Sequence, residues 1–368
     1  MNRREFQSTL LGAAGAMLLS AATGQAEEKK QQEKSAADAG SITDVDGIRV
    51  GHYTDPRRPT GVTALLFDSG AQAGVDVRGS APGTRETDLL NPVHGNNDVH
   101  AIVLAGGSGF GLDSASGVVR YLEEHGIGVH FGGYTIPIVP AAILFDLPVG
   151  DGRIRPDAAA GYAAAQAASS ARVAEGNIGA GAGATVGKAF GFDLATKTGL
   201  GSAAIKVGDT GVVVGAIVAV NALGDVVDPA SNQIIAGARN RDGRSFIDTE
   251  ARIRAGYGVL EGVQPLTNTT IGVVATNVAL NKTQLTKVAQ MAHDGLARTI
   301  RPIHTLYDGD TIFAVSTNKL QVKTNHGSIG SIAADVLATA VLRAVTEAQA
   351  LAGLPSYHEL AALRSQAR

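Results

Sequence analysis

The 368-residue chain has no cysteine and no tryptophan, and only 4% of its residues are aromatic. The missing cysteines exclude disulfide staples, so whatever core the chain buries must hold the fold alone. The scarcity of large rings, set against 47 glycines, points to tight turns and close backbone packing rather than a bulky aromatic centre. Charge of one sign is also lacking: the net charge is -3, and no Lys/Arg cluster is interleaved with aromatics. That excludes a phosphate-backbone stripe, and with it nucleic acid as a partner. No segment repeats with a period of 20 to 50 residues, which argues against a solenoid or propeller. His52, His100, His125, His130, His293 and His304 are scattered without metal-ligand spacing, so neither metal nor cofactor is expected.

What is present begins with 44% hydrophobic residues, enough for one large domain or two smaller ones. At the N-terminus Arg3-Arg4 precede an apolar run, Thr9 to Ala22, that is short for a membrane span. The order Asn2-Arg3-Arg4-Glu5-Phe6 resembles a twin-arginine export signal, with cleavage expected after Ala26. Residues 27–40 read as a disordered spacer. The location expected is periplasmic, without a stable membrane anchor, and the alternative is an apolar N-terminal helix or anchor.

Along the mature chain, strands are expected at Ile48–Tyr53, Gly61–Phe67 and His100–Leu104. The last of these feeds a glycine-rich loop, Gly106 to Gly111, and a helix over Asp113–His125. Its spacing does not fit a dinucleotide fingerprint, and close backbone packing is the better account. A helix is read at Ala158–Glu175, stopped by Gly176, followed by a small-residue loop, Gly179–Gly187. Val212–Val220 and Gly224–Val227 read as a β-hairpin with Asn221 at an exposed tip. Ile271–Ala275 and Thr311–Ser316 are strands, and Leu285–Ile300 and Ser331–Gln349 are helices.

The most reactive-looking junction is Pro265-Leu266-Thr267-Asn268-Thr269-Thr270, a polar turn entering the apolar strand Ile271–Ala275. If the Asn268–Thr269 amide is strained there, the Thr269 hydroxyl can attack the preceding carbonyl and form an ester that water hydrolyses. The exposed α-amine, with an ordinary pKa of about 8, can then take the proton from its own hydroxyl. Plain turn chemistry is the competing account.

The run Asn268-Thr269-Thr270-Ile271-Gly272-Val273-Val274-Ala275-Thr276 closely resembles the start of the small subunit in the L-aminopeptidase/D-esterase family. That family also holds β-peptidyl aminopeptidases and 6-aminohexanoate-oligomer hydrolases. Three further blocks agree in order and spacing: Val77 to Glu86, Gly106 to Gly117, and Met291 to Arg298. The resemblance covers about residues 41 to 355.

The resemblance implies an α/β fold, a four-layer αββα sandwich built from a large subunit (41–268) and a small one (269–368) sharing one domain. It implies autocleavage between Asn268 and Thr269 and a homotetramer of processed heterodimers. Thr269 would be the nucleophile. Asp308 and Asp310, flanking Gly309, would be the acid pair that tunes its protonation, since paired carboxylates push one pKa up. Without the resemblance, Asp308-Gly309-Asp310 could equally be a turn or a calcium site. Lys188 and Asn221 would face the oxyanion; read alone, they are a loop cation and a turn residue. An Asp pair tilts the sequence toward the aminohexanoate-oligomer branch. One position departs: Phe145 stands where the family often has an active-site Tyr, and it cannot donate a hydrogen bond. Tyr134 and Tyr162 are candidate substitutes.

The reaction expected is hydrolysis of amide bonds in short peptides, β-peptides or amide oligomers. Two alternatives stay open: an acyl transferase of the ornithine acetyltransferase type, and a non-catalytic periplasmic binding protein of the same fold.

Overall fold

Two apolar strands, Ile271–Val278 and Thr311–Leu320, run parallel and adjacent at the middle of the sheet, with Ile271 opposite Thr311. Parallel neighbours need a crossover, and the helix Lys282–Thr299 supplies it. Asn281 caps that helix through its side chain, with Gln284 reaching back to close a capping box. The consequence for the site is direct, because parallel strands in register bring their preceding residues side by side. Asn268 and Asp308 form a β-bridge ahead of the two strands.

Residues 40–259 and 268–365 are described by this computed structural model. The expected export signal, nearly all of the spacer, and the Pro265-Leu266-Thr267 part of the polar turn lie outside the described residues. From Gly40 onward the chain forms one unit, built on a nine-stranded mixed sheet. Its order is Leu200–Lys206, Val213–Ala219, Ile271–Val278, Thr311–Leu320, Gly61–Val77, Asp98–Ala105, Ala141–Ile143 and Thr84–Arg85, with Arg49–Thr54 paired to Gly61–Val77. The helices Ser114–Glu124 and Ala158–Gln166 cover Val62, Ala64 and Leu66 on one stretch of the sheet. Lys282–Thr299 and His326–Thr346 pack over the central and opposite strands. The other face carries the main core, where Leu65, Phe67, Ile217, Ile271, Val273, Phe313 and Val315 are fully buried. Each such aliphatic or aromatic side chain contributes roughly 1.5–3 kcal/mol by leaving water. His326–Thr346 is long and apolar enough to cross a membrane, but it is mostly buried inside the fold.

The α/β class expected from the sequence is what the structure has, and most strands extend the predicted runs by a few residues. Two expectations fail. The Ala-rich helix ends at Gln166 and not at Glu175, because the chain leaves to bridge Val50 through Ser169. The predicted hairpin around Asn221 does not exist. Val213–Ala219 pairs with Leu200–Lys206 and Ile271–Val278, whereas Asp225–Asp228 joins a separate sheet with Gln233–Ala236 and Ile300–Arg301. Asn221 lies in the crossing between two sheets and is completely buried. The glycine loop at Gly106 packs as expected: a Cβ there would come 2.1 Å from Asp146 and 2.5 Å from Thr60.

Candidate active site

The Asn268–Thr269 peptide is held on three sides. Its N–H donates to the Asn221 carbonyl at 2.8 Å, and its carbonyl accepts from the Gly309 N–H at 2.9 Å. The Thr269 hydroxyl rests against the same Asn268 carbonyl. A carbonyl already polarised by a backbone donor, with a hydroxyl in contact, is arranged for internal attack. Glycine at 309 is required sterically, since a Cβ would stand 2.6 Å from the Ala81 carbonyl and 2.8 Å from the Thr269 hydroxyl.

The acids flank this peptide. Asp310 Oδ1 accepts from the Thr270 N–H at 2.7 Å, and its Oδ2 accepts from the His304 N–H at 3.1 Å and pairs with His304 Nδ1 at 2.9 Å. Asp308 accepts from the Leu223 N–H at 3.3 Å, from the Thr305 N–H at 3.0 Å, and from the Thr305 hydroxyl. Burial, and next the nearby Asp310, push the Asp308 carboxyl up to about 6. The backbone of the acid turn is pinned by the segment after Gly61–Val77. Arg78 and Gly79 N–H donate to the Asp310 carbonyl, and Ala81 N–H donates to that of Asp308. Gly79 is another forced glycine, for a Cβ would lie 2.2 Å from the Asp308 carbonyl oxygen.

On the opposite side, Lys188 Nζ donates to the Asn221 carbonyl at 3.2 Å and to its side-chain oxygen at 2.8 Å. Lys188 and the Thr269 N–H therefore share one acceptor. Burial lowers the Lys188 ammonium to about 7, against the raising influence of Asp308, Asp146 and Asp310. The Asn221 amide nitrogen donates to the Phe145 carbonyl at 3.0 Å, and its oxygen accepts from the Thr185 N–H at 3.1 Å.

The structure thus brings together every residue singled out in the sequence: Thr269, Asn268, Asp308, Asp310, Lys188 and Asn221. Two details differ from the expectation. Lys188 and Asn221 bind each other here, and the donor on the Asn268 carbonyl is Gly309. Neither candidate tyrosine replaces the missing hydroxyl at Phe145: Tyr162 donates to Glu124 between the outer helices, and Tyr134 is 73% exposed on a short hairpin. Gly309, His304 and Thr305 escaped the sequence reading. A backbone donor has no side-chain signal, and a histidine six residues before its carboxylate matches no spacing rule. The Val77 to Glu86 block was visible as a resemblance without a role, and its role is to clamp the acid turn.

All six residues are at most 3% exposed. A surface cavity of about 490 Å³ is lined by Val75, Asp76, Thr87, Asp88, Leu90 and neighbours and includes none of them.

Comparison with known proteins agrees with this geometry. Residues 40–358 match the model of peptidase family S58. An uncharacterized aminopeptidase of Mycobacterium leprae is 43% identical over 355 residues, covering 88% of this chain and 94% of that protein. A 6-aminohexanoate-oligomer endohydrolase of Paenarthrobacter ureafaciens is 33% identical over 317 residues, covering 82% and 84%. Among solved structures, the L-aminopeptidase D-Ala-esterase/amidase of Ochrobactrum anthropi, a variant of the N-terminal-nucleophile hydrolase fold, superimposes with a TM-score of 0.65 at 22% identity, covering 89% of this chain and 95% of that one. The chain belongs to peptidase family S58 and is an amide-bond hydrolase with the N-terminal-nucleophile fold.

Proposed function

We propose that the chain cuts itself between Asn268 and Thr269 and then uses Thr269 as an N-terminal nucleophile on linear amides. The observation that carries this reading is the Asn268 carbonyl held between the Gly309 N–H and the Thr269 hydroxyl. Thr269 Oγ1 attacks the Asn268 carbonyl carbon, and the carbon–nitrogen bond to Thr269 breaks. The hydroxyl proton ends on the departing nitrogen, which becomes the α-amine. Water then hydrolyses the Asn268 ester and frees the hydroxyl. Lys188, sharing the Asn221 carbonyl with that nitrogen and titrating near 7, is placed to relay the proton.

The burial of the whole constellation implies that the uncut chain is closed to substrate, and that release of the Asn268 end opens it. In the mature enzyme the α-amine serves as base, Asp308 and Asp310 tune its protonation, and Lys188 and Asn221 offer donors to the substrate oxyanion. The acid pair favours short linear amide oligomers; the Paenarthrobacter relative is named for the hydrolysis of 6-aminohexanoate oligomers. A screen of aminoacyl anilides, β-peptides and 6-aminohexanoate oligomers, with Thr269→Ala as the control, tests this. Oligomer turnover that disappears in the control supports it, and turnover persisting in Thr269→Ala contradicts it.

Export through the twin-arginine route to the periplasm, and assembly as a tetramer of processed heterodimers, complete the proposal. Replacing Arg3 and Arg4 by Lys should keep the protein in the cytoplasm, still processed if folding precedes export.

A further inference from the structure

Behind the acid pair lies a second layer that the reaction above does not use. His304 holds Asp310 Oδ2 twice, through its backbone N–H at 3.1 Å and its ring Nδ1 at 2.9 Å. Its backbone is left-handed, with φ of +57°, a conformation that costs a non-glycine residue energy and that orients the ring toward the carboxylate. The other face of the ring meets His293 of the helix Lys282–Thr299, edge to face with centroids 4.7 Å apart. His293 is anchored in turn: its Nε2 pairs with the Asp76 carbonyl at 3.0 Å. His304 Nε2 and His293 Nδ1 are buried without a hydrogen-bond partner among the described residues. Burial lowers His293 to about 4, so it is neutral near pH 7 and does not add charge beside His304.

We propose that His304, backed by His293, is a positioning residue: it donates Nδ1–H to Asp310 Oδ2, holds that carboxylate in place and leaves Oδ1 aimed at the Thr269–Thr270 peptide. The donor sets of the two acids carry this assignment. Asp310 receives three N–H groups, one from an imidazole, whereas Asp308 receives two N–H groups and a hydroxyl. The imidazole donor is what Asp308 lacks, and it fixes the orientation of the Asp310 carboxylate. Because Asp310 bonds the amide joining Thr269 to Thr270, any loss of its charge or orientation displaces the nucleophile. Asp310 and His293 face His304, and Asp76, itself bonded by Arg78, lies against His293.

This inference rests on the reading of Asp310 as part of the Thr269 machinery, and the test separates the two. His304→Gly removes the ring donor, and His304→Asn supplies an amide donor near the Nδ1 position. Both residues tolerate the left-handed backbone, so they differ mainly in the donor. On the matured full-length enzyme, His304→Gly is expected to lose about tenfold or more in kcat, with KM little changed. His304→Asn should return kcat to within about threefold. If His304→Gly does not fold, His304→Gln, which moves the amide one methylene away, takes its place. Asp310→Asn is measured alongside. Wild-type kcat in Asp310→Asn removes the underlying reading. A slow Asp310→Asn combined with near-wild-type kcat in His304→Gly, or with a His304→Asn as defective as His304→Gly, overturns the role given to His304.

Discussion

Two lysines in this fold are equally buried and equally perturbed, yet only one lies at the reactive peptide. Lys188 and Lys197 are 3% and 0% exposed, and burial lowers both ammonium groups to about 7. Among the described residues, Lys197 Nζ donates only to the carbonyls of Gly181 and Thr198, which turns it into a tie between two stretches of backbone. Lys188 donates to Asn221, whose carbonyl also receives the Thr269 N–H, and it feels Asp308 and Asp310. Burial and a shifted pKa therefore mark desolvation, and what separates a site from a structural tie is which atoms share the lysine's acceptor. A third buried cation makes the same point: Arg58 is spent on Asp146 and on main-chain carbonyls.

The contrast is sharpest when each lysine is replaced by Met in a maturing chain. Lys188→Met should lower kcat by about 10²–10³-fold, the scale of losing one donor to a developing oxyanion. Lys197→Met should leave kcat within about threefold, because it touches nothing that reacts. Steady-state kinetics on both proteins decides. Equal losses would mean that both lysines act through stability alone.

The acids extend the comparison, since Asp308 and Asp310 flank Lys188 and are not among the influences on Lys197. Asp308→Asn and Asp310→Asn should each lower kcat by about 10²-fold with KM little changed. Wild-type rates in both matured variants would reduce Asp308-Gly309-Asp310 to a strand-entry turn.

A smaller effect concerns pH. Each lysine titrates near 7 in the folded chain against 10.5 when exposed, so between these values the unfolded chain binds more protons. Stability contributed by these groups rises as pH climbs from about 7 toward 10.5, and is lost as pH falls through 7. Asp308, raised to about 6 from 3.8, acts in the opposite sense and below that window. The rise in Tm between pH 7 and 9 should therefore shrink in Lys188→Met and shrink similarly in Lys197→Met. Here the two lysines should behave alike, and a change in only one would break their equivalence.

The sequence made the reactive residues legible and hid their arrangement. Thr269, Asp308 and Asp310 were singled out by the resemblance of their blocks to a known family, while the strands that follow them, read from apolar runs, are present where expected. Asn221 was read at an exposed tip because Val212–Val220 and Gly224–Val227 look like paired strands; the chain instead crosses between sheets there, a tertiary choice that local periodicity cannot report. Ala158–Glu175 has helical composition throughout, but pairing with Val50 overrides it after Gln166. Gly309 as carbonyl donor and His304 as the Asp310 partner depend on parallel register and on a left-handed residue, which leave no trace in composition.

The central claim is that Thr269 becomes a chain terminus, and N-terminal sequencing of the purified protein tests it most directly. The account predicts two chains on a denaturing gel, the smaller beginning Thr-Thr-Ile-Gly-Val, and a single inactive chain for Thr269→Ala. A wild-type protein that hydrolyses amides while remaining one uncut chain, or a smaller chain with any other first residue, would contradict it.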